Sequence, residues 1–192
     1  MKRSLWLILL LSSQSVWANF DDALLAYHQG HYTRAISEFK RLAKVGDVAA
    51  QYNLAYMYAR GLGVNKDYDQ AFTWFYAAAK RGDAEAQYHL AGLYEQGLGV
   101  NQNYQRAINW YQKSALQGYQ PAQISLAGLY GIGLGVDDDI EQSWTWLTLA
   151  ERQQAQAMIV DAKNLLQEKM TPEQLQHAQY QIQDILSRVL TK

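Results

Sequence analysis

Four histidines, one run of three aspartates and three Gly-x-Gly-Val segments are the residues of this chain whose types could support chemistry. His28 and His31 stand three residues apart, a spacing that would pair two metal ligands on an unbroken helix. Gly30 lies between them, where the helix should end, so they read as solvated hairpin-end residues. Asp137-Asp138-Asp139 lacks the alternating ligands and closing glutamate of a calcium loop. These aspartates are better placed to cap the helix that follows and face its positive end. Gly-x-Gly-Val begins at Gly61, Gly97 and Gly133, each time after a helical pattern rather than a strand, so it is not a phosphate-binding fingerprint. No serine sits in a Gly-x-Ser-x-Gly elbow, and the chain has no cysteine. That removes thiolate metal sites, thiol nucleophiles and disulfides together. The expectation is a protein with no catalytic residue, no metal and no cofactor.

The elements that would position any site follow from composition and spacing. A chain of 192 residues suits one domain or one short repeat array. Hydrophobic residues make up 49% and the formal net charge is -1, which excludes a disordered chain. The same balance gives no reason to expect nucleic acid or an anionic membrane as partner. Lys2 and Arg3, the apolar run Leu5 to Leu11, polar residues 12–15 and the segment Val16-Trp17-Ala18 have the order of a secretory signal. The apolar run is too short to span a bilayer, which takes about 20 residues. The mature protein is expected to begin at Asn19, lose Lys2 and Arg3, and become more acidic.

The remainder repeats every 36 residues. Gly46, Gly82 and Gly118 keep that spacing, as do Gly61, Gly97 and Gly133, and Gly63, Gly99 and Gly135. So do the columns Ala50/Ala86/Ala122, Leu54/Leu90/Leu126, Ala55/Ala91/Ala127, Tyr58/Tyr94/Tyr130 and Trp74/Trp110/Trp146. Within a unit, Ala50, Leu54, Ala55 and Tyr58 form one helical stripe, and Gly61 to Val64 breaks the helix. Ala71, Trp74, Phe75, Ala78 and Ala79 form a second stripe, which ends before Gly82, placed for a left-handed helix end. A lone hairpin could not cover its own aromatics, so the units must stack, and the tryptophan column is expected in the core.

The pattern Ala50-x-x-x-Leu54-Ala55-x-x-Tyr58-x-x-Gly61-x-Gly63-Val64, followed by Asp67, Ala71 and Trp74, resembles the Sel1-like repeat, a relative of the tetratricopeptide repeat. Two more copies follow, with Asn103 replacing aspartate in the second and Ser143 and Gln154 departing in the third. The resemblance implies an all-α fold, a right-handed α-solenoid of helix-turn-helix repeats with N- and C-terminal capping helices. The expected division is a signal (1–18), an N-terminal hairpin cap (19–46), repeats at 47–82, 83–118 and 119–154, and capping helices at 155–192. Thr171-Pro172-Glu173-Gln174 has the form of a capping box opening the last helix.

What is left for function is a surface. Helical geometry turns the stripe at 52, 56 and 60, and its equivalents, toward the inside of a curved array. In the first repeat this stripe is Tyr52, Tyr56 and Arg60. The second has Tyr88, Gly92 and Gln96 with Glu95 beside them, and the third has Ile124, Gly128 and Ile132. Tyrosine and arginine are enriched at binding hot spots, and the glycines would open a groove. Tyr52 and Tyr88 keep the 36-residue spacing, so packing and binding both remain open for them. Tyr56 and Arg60 differ between units and are the stronger binding candidates. The reading is a monomeric, periplasmic or secreted adaptor that holds a protein or peptide of the bacterial cell envelope on its concave face. It binds no nucleic acid and does not span the membrane. Similarity to cysteine-rich secreted relatives raises a second possibility, a peptidoglycan or β-lactam hydrolase, but their cysteines are absent here. A glycan-binding module using the groove tyrosines is the third.

Overall fold

A computed structural model describes residues 20–154 and 156–190, all of whose regular structure is helical. The segment read as a secretory signal lies outside the described residues. The chain divides into two compact units, 1–81 and 82–192.

The first unit holds α1 (20–28), α2 (Tyr32–Lys44), α3 (Val48–Arg60) and α4 (Tyr68–Lys80). α2 packs on α3, and α3 on α4. The expected hairpin cap is α1 and α2, joined at Gly30, which has φ +78°. Both His28 and His31 are exposed at this hairpin end. The core runs through Ala23, Ala35, Phe39, Leu42, Leu54 and Met57, with Trp74 packed against it.

The second unit holds α5 (Ala84–Gln96), α6 (Tyr104–Ala115), α7 (Gln120–Ile132), α8 (Ile140–Glu151), α9 (Ala157–Gln167) and α10 (Pro172–Leu190). Each of α5 to α9 packs on its neighbour in sequence, and α10 also packs on α8. Successive hairpins therefore stack within this unit in the manner of a repeat solenoid. Thr171 and Gln174 form the expected reciprocal capping box: the Thr171 N–H donates to Gln174 Oε1 at 2.9 Å, and the Gln174 N–H to Thr171 Oγ1 at 3.2 Å. Along α10, Ala178 and Ile182 are buried, Leu175, Ile185 and Leu186 are half-buried, and Val189 is exposed, so cover is fullest at mid-helix.

Local signals explain why these segments are helices. The side chains of Asp47, Asp67, Asp83, Asn103 and Asp139 each accept a hydrogen bond from the backbone N–H three residues on, at 2.7 to 2.9 Å. Asp139 is thus a helix cap, as its place in the aspartate run implied. Gly61, Gly97 and Gly133 end the first helix of each repeat in the left-handed region. Two other glycines matter through close approach. A Cβ on Gly63 would lie 2.6 Å from the Tyr32 carbonyl carbon, and one on Gly135 3.1 Å from that of Tyr104. The repeat loop is seated on the start of the second helix of the preceding hairpin, where only a hydrogen fits.

The tryptophan column is less uniform than the repeat implies. Trp146 is buried, but Trp74 and Trp110 are half-buried. Trp110 carries the Lys113 ammonium 3.9 Å from its ring centroid, because one edge of the indole reaches solvent. Trp144, which belongs to no column, is buried at 6% exposure.

Candidate functional site

The stripe residues of the first unit form a compact aromatic group. The Tyr52 ring packs on Phe75 (5.9 Å between centroids) and on Tyr56 (6.4 Å), and the Arg60 guanidinium lies 5.4 Å from the Tyr56 ring. Tyr52 and Tyr56 are half-buried while Arg60 is exposed. Tyr27 of α1 joins them. Its hydroxyl is pushed above the ordinary tyrosine range, first by burial, then by Tyr56 and Tyr32, with Arg60 acting in the opposite direction. The sequence pattern missed Tyr27, which lies outside the repeat columns.

In the second unit, Tyr88 packs on Tyr111 (5.5 Å) and on Tyr119 (5.3 Å). The Tyr111 hydroxyl donates to Glu95 Oε2 at 2.7 Å, which gives that stripe residue a fixed partner. Gln96 is exposed beside them. Tyr52 and Tyr88 therefore both make packing contacts, and each keeps a partly exposed face. The missed residue is Tyr111, and its signal was available: Phe75, Tyr111 and Leu147 are 36 apart and lie on the second helix behind the stripe.

Burial drives the Tyr111 hydroxyl far above the normal tyrosine value, with Glu95 and Tyr88 adding to the effect and Ser125 opposing it. Tyr27, Tyr119 and Tyr130 are raised as well, each chiefly by burial. A raised pKa on an acid means that the fold favours the neutral form. The corresponding stability is complete below the unfolded value of 10.0 and is lost as pH rises beyond it. Thermal melts followed by circular dichroism should hold steady from neutral pH to about pH 9.5 and fall steeply above the free tyrosine value. Tyr111→Phe should flatten that alkaline limb. An equal slope in wild type and Tyr111→Phe would contradict the assignment.

The third-repeat stripe differs in kind. Ile124, Gly128 and Ile132 open onto a cavity of about 330 Å³ whose floor includes Ser143 and Leu147 of α8 and whose far wall is α9. Ile132 is 68% exposed. Of the two stripe glycines, Gly128 faces open space, since an added Cβ would meet nothing within 4 Å, whereas one on Gly92 would meet the Tyr111 hydroxyl at 3.6 Å. The α9 wall, with Met158 and Leu165, lies outside the repeats and was not singled out from the pattern.

A buried glutamine column was also missed. Gln51, Gln87 and Gln123 are 36 apart and nearly inaccessible. Gln51 Nε2 donates to the Ala43 carbonyl at 3.2 Å and Gln123 Nε2 to that of Ala115 at 3.1 Å, tying each hairpin to the last turn of the helix before it. Gln87 and Gln123 also accept from Gln117 and Gln153, at 2.8 and 3.0 Å. Buried amides placed this way set the register between hairpins, because a slip would leave them unpaired. Among the described residues no group of three or more histidines and carboxylates could hold a metal ion. Nor is any described helix long and apolar enough to cross a membrane.

Comparison with known proteins gives the same picture. A family model described as the Sel1 repeat matches residues 48–83, 84–119 and 120–154. Among solved structures, the chain is similar to a protective antigen of uropathogenic Escherichia coli strains that displays an SLR fold. That match has 36% identity and a TM-score of 0.73, covering 80% of this chain and 33% of that one. A Sel1 repeat protein from Oxalobacter formigenes matches with 30% identity and a TM-score of 0.65, over 68% of this chain and 54% of that one. The chain thus spans a third to about half of the length of these relatives. No curated protein sequence matches the chain.

Proposed function

The chain belongs to the Sel1 repeat family, and from that premise we propose that it is an exported, non-catalytic scaffold of the bacterial envelope. The second unit has a candidate surface of its own in Tyr88, Glu95, Gln96, Ile124 and Ile132, and in the first unit a protein or peptide is held on the face that carries Tyr52, Tyr56 and Arg60. Repeat arrays of this kind present extended surfaces rather than reaction centres. The observation that carries the reading is the composition of this face. Half-buried tyrosines held at a fixed angle, with an arginine lying over one of them, present large contact area at little entropic cost. The basic and apolar order of residues 2–18 supports export.

Cross-linking in an extract of the exported fraction tests this reading. Wild type, recovered with Asn19 as its first residue, should capture a discrete partner that Tyr56→Ala/Arg60→Glu does not. Arg60 is exposed and Tyr56 half-buried, so the double variant should lose about 1–2 kcal/mol and still fold, which a native circular dichroism spectrum checks. Equal capture by the two proteins removes the proposed face, and a retained residue 1–18 segment removes export. Turnover of a wall fragment or a β-lactam by the pure protein would sink the non-catalytic reading.

A further inference from the structure

The groove of the second unit has a chemical character that narrows its partner. Three large apolar side chains line it while remaining more than half exposed: Ile132 at 68%, Met158 at 66% and Leu165 at 55%. Clustered exposed side chains of this size mark a binding site more often than scattered ones do. The rim is acidic. Asp161 lies on α9 three residues after Met158 and four before Leu165, on the same helical face. Asp138 sits against the end of α7, its backbone nitrogen 3.3 Å from where a Cβ on Gly133 would stand, directly after Ile132. Neither carboxylate is in an ion pair among the described residues. Lys163, the cation of α9, is already paired with Glu151. The bias extends across the unit: residues 82–192 carry twelve Asp and Glu against seven Lys and Arg.

The walls of the groove are helices, which keep their own backbone hydrogen bonds. An extended segment would therefore find no edge to pair with, whereas a helix satisfies its own backbone. Gly128, where an added Cβ would meet nothing within 4 Å, leaves room for a close approach. We propose that this groove takes an amphipathic helix of a partner protein. Its aliphatic side chains enter between α7 and α9, and its Lys or Arg side chains meet Asp161 and Asp138 at the rim. The inference rests on the scaffold reading above and specifies the partner chemistry of the second unit's candidate surface.

The test uses the full chain and three synthetic helical peptides, titrated by calorimetry. The first has Leu at i, i+3, i+4 and i+7 with Lys elsewhere, the second replaces Lys by Glu, and the third replaces Leu by Ser. The Leu/Lys peptide should bind at least about tenfold more tightly than either of the others. Ile132→Ser should weaken it about tenfold, and Asp161→Lys should reverse the preference toward the Leu/Glu peptide. Both positions are exposed, so a native circular dichroism spectrum is expected of each variant. The proposal is overturned if the Leu/Glu peptide binds as tightly, if Ile132→Ser has no effect, or if no peptide binds. Self-association abolished by Ile132→Ser would assign the groove to a second copy and overturn it too. If the peptides fail while capture still depends on Tyr56 and Arg60, only this partner chemistry is lost and the scaffold reading stands.

Discussion

Phe75→Ala lowers stability by about 3–4 kcal/mol, the range for emptying a well-packed aromatic site. Phe75 is 1% exposed on α4 and supports the Tyr52 ring 5.9 Å away. Truncation leaves a cavity that the flanking helices can close only in part. Tyr52→Ala, by contrast, removes a half-buried ring and should lose about 1–2 kcal/mol. If Tyr52 is held by packing, a double-mutant cycle between the two returns a coupling of about 0.5–1.5 kcal/mol. Urea unfolding of the four proteins measures it. Zero coupling would mean that the Tyr52 ring is not seated on Phe75. Retained coupling together with lost partner capture in Tyr52→Ala would give this residue both roles, which the 36-residue spacing left open.

Gly63→Ala is the second large effect, and its contrast with Gly30→Ala isolates the cause. Both glycines have positive φ, +73° and +78°, so both substitutions carry the strain of a left-handed L-residue, about 1–2 kcal/mol. At Gly30 an added methyl would meet nothing within 4 Å. At Gly63 it would stand 2.6 to 2.9 Å from backbone atoms of Tyr32 and Thr33, which no rotamer change can move aside. Overpacking adds about 1–3 kcal/mol, so Gly63→Ala should cost about 3 kcal/mol or more and Gly30→Ala about half that or less. Because stability in repeat proteins is local, amide exchange should accelerate first in α2 and α3. Equal losses at the two sites would show that the loop does not dock on α2 in solution.

Much of the fold was legible in the chain because its signals are short-range. An Asp or Asn cap reads the backbone three residues ahead, and a left-handed glycine closes the helix it follows. An apolar stripe declares itself within two turns. Repetition of those signals every 36 residues multiplies their weight, which is why the hairpins, the capping box at Thr171 and the cap role of Asp139 were all evident. That 52, 56 and 60 share one stripe was also evident, since helical spacing alone sets them on a face apart from the core columns.

Pairings between helices were not legible to the same degree. Glu95 meets Tyr111 sixteen residues away, and Gln123 reaches back to Ala115 and forward to Gln153. Periodicity alone does not say whether a repeated polar residue points into a neighbouring hairpin or into water. The tryptophan column illustrates the limit: one repeat position holds a buried indole at Trp146 and a half-exposed one at Trp110, because burial depends on what stacks outside each hairpin. The groove depends on position even more. Its first wall comes from the third-repeat stripe, but its second comes from α9, which has no repeat signature and whose exposed Met158 and Leu165 gain meaning only opposite Ile132. By itself the sequence determined a repeated helical hairpin and which residues share each stripe of a helix, since both rest on spacing within a helix. Only the tertiary structure decided which stripe residues are braced by packing and where an apolar groove stands open beside acidic groups. Those outcomes depend on the distances between helices, and no local spacing encodes them.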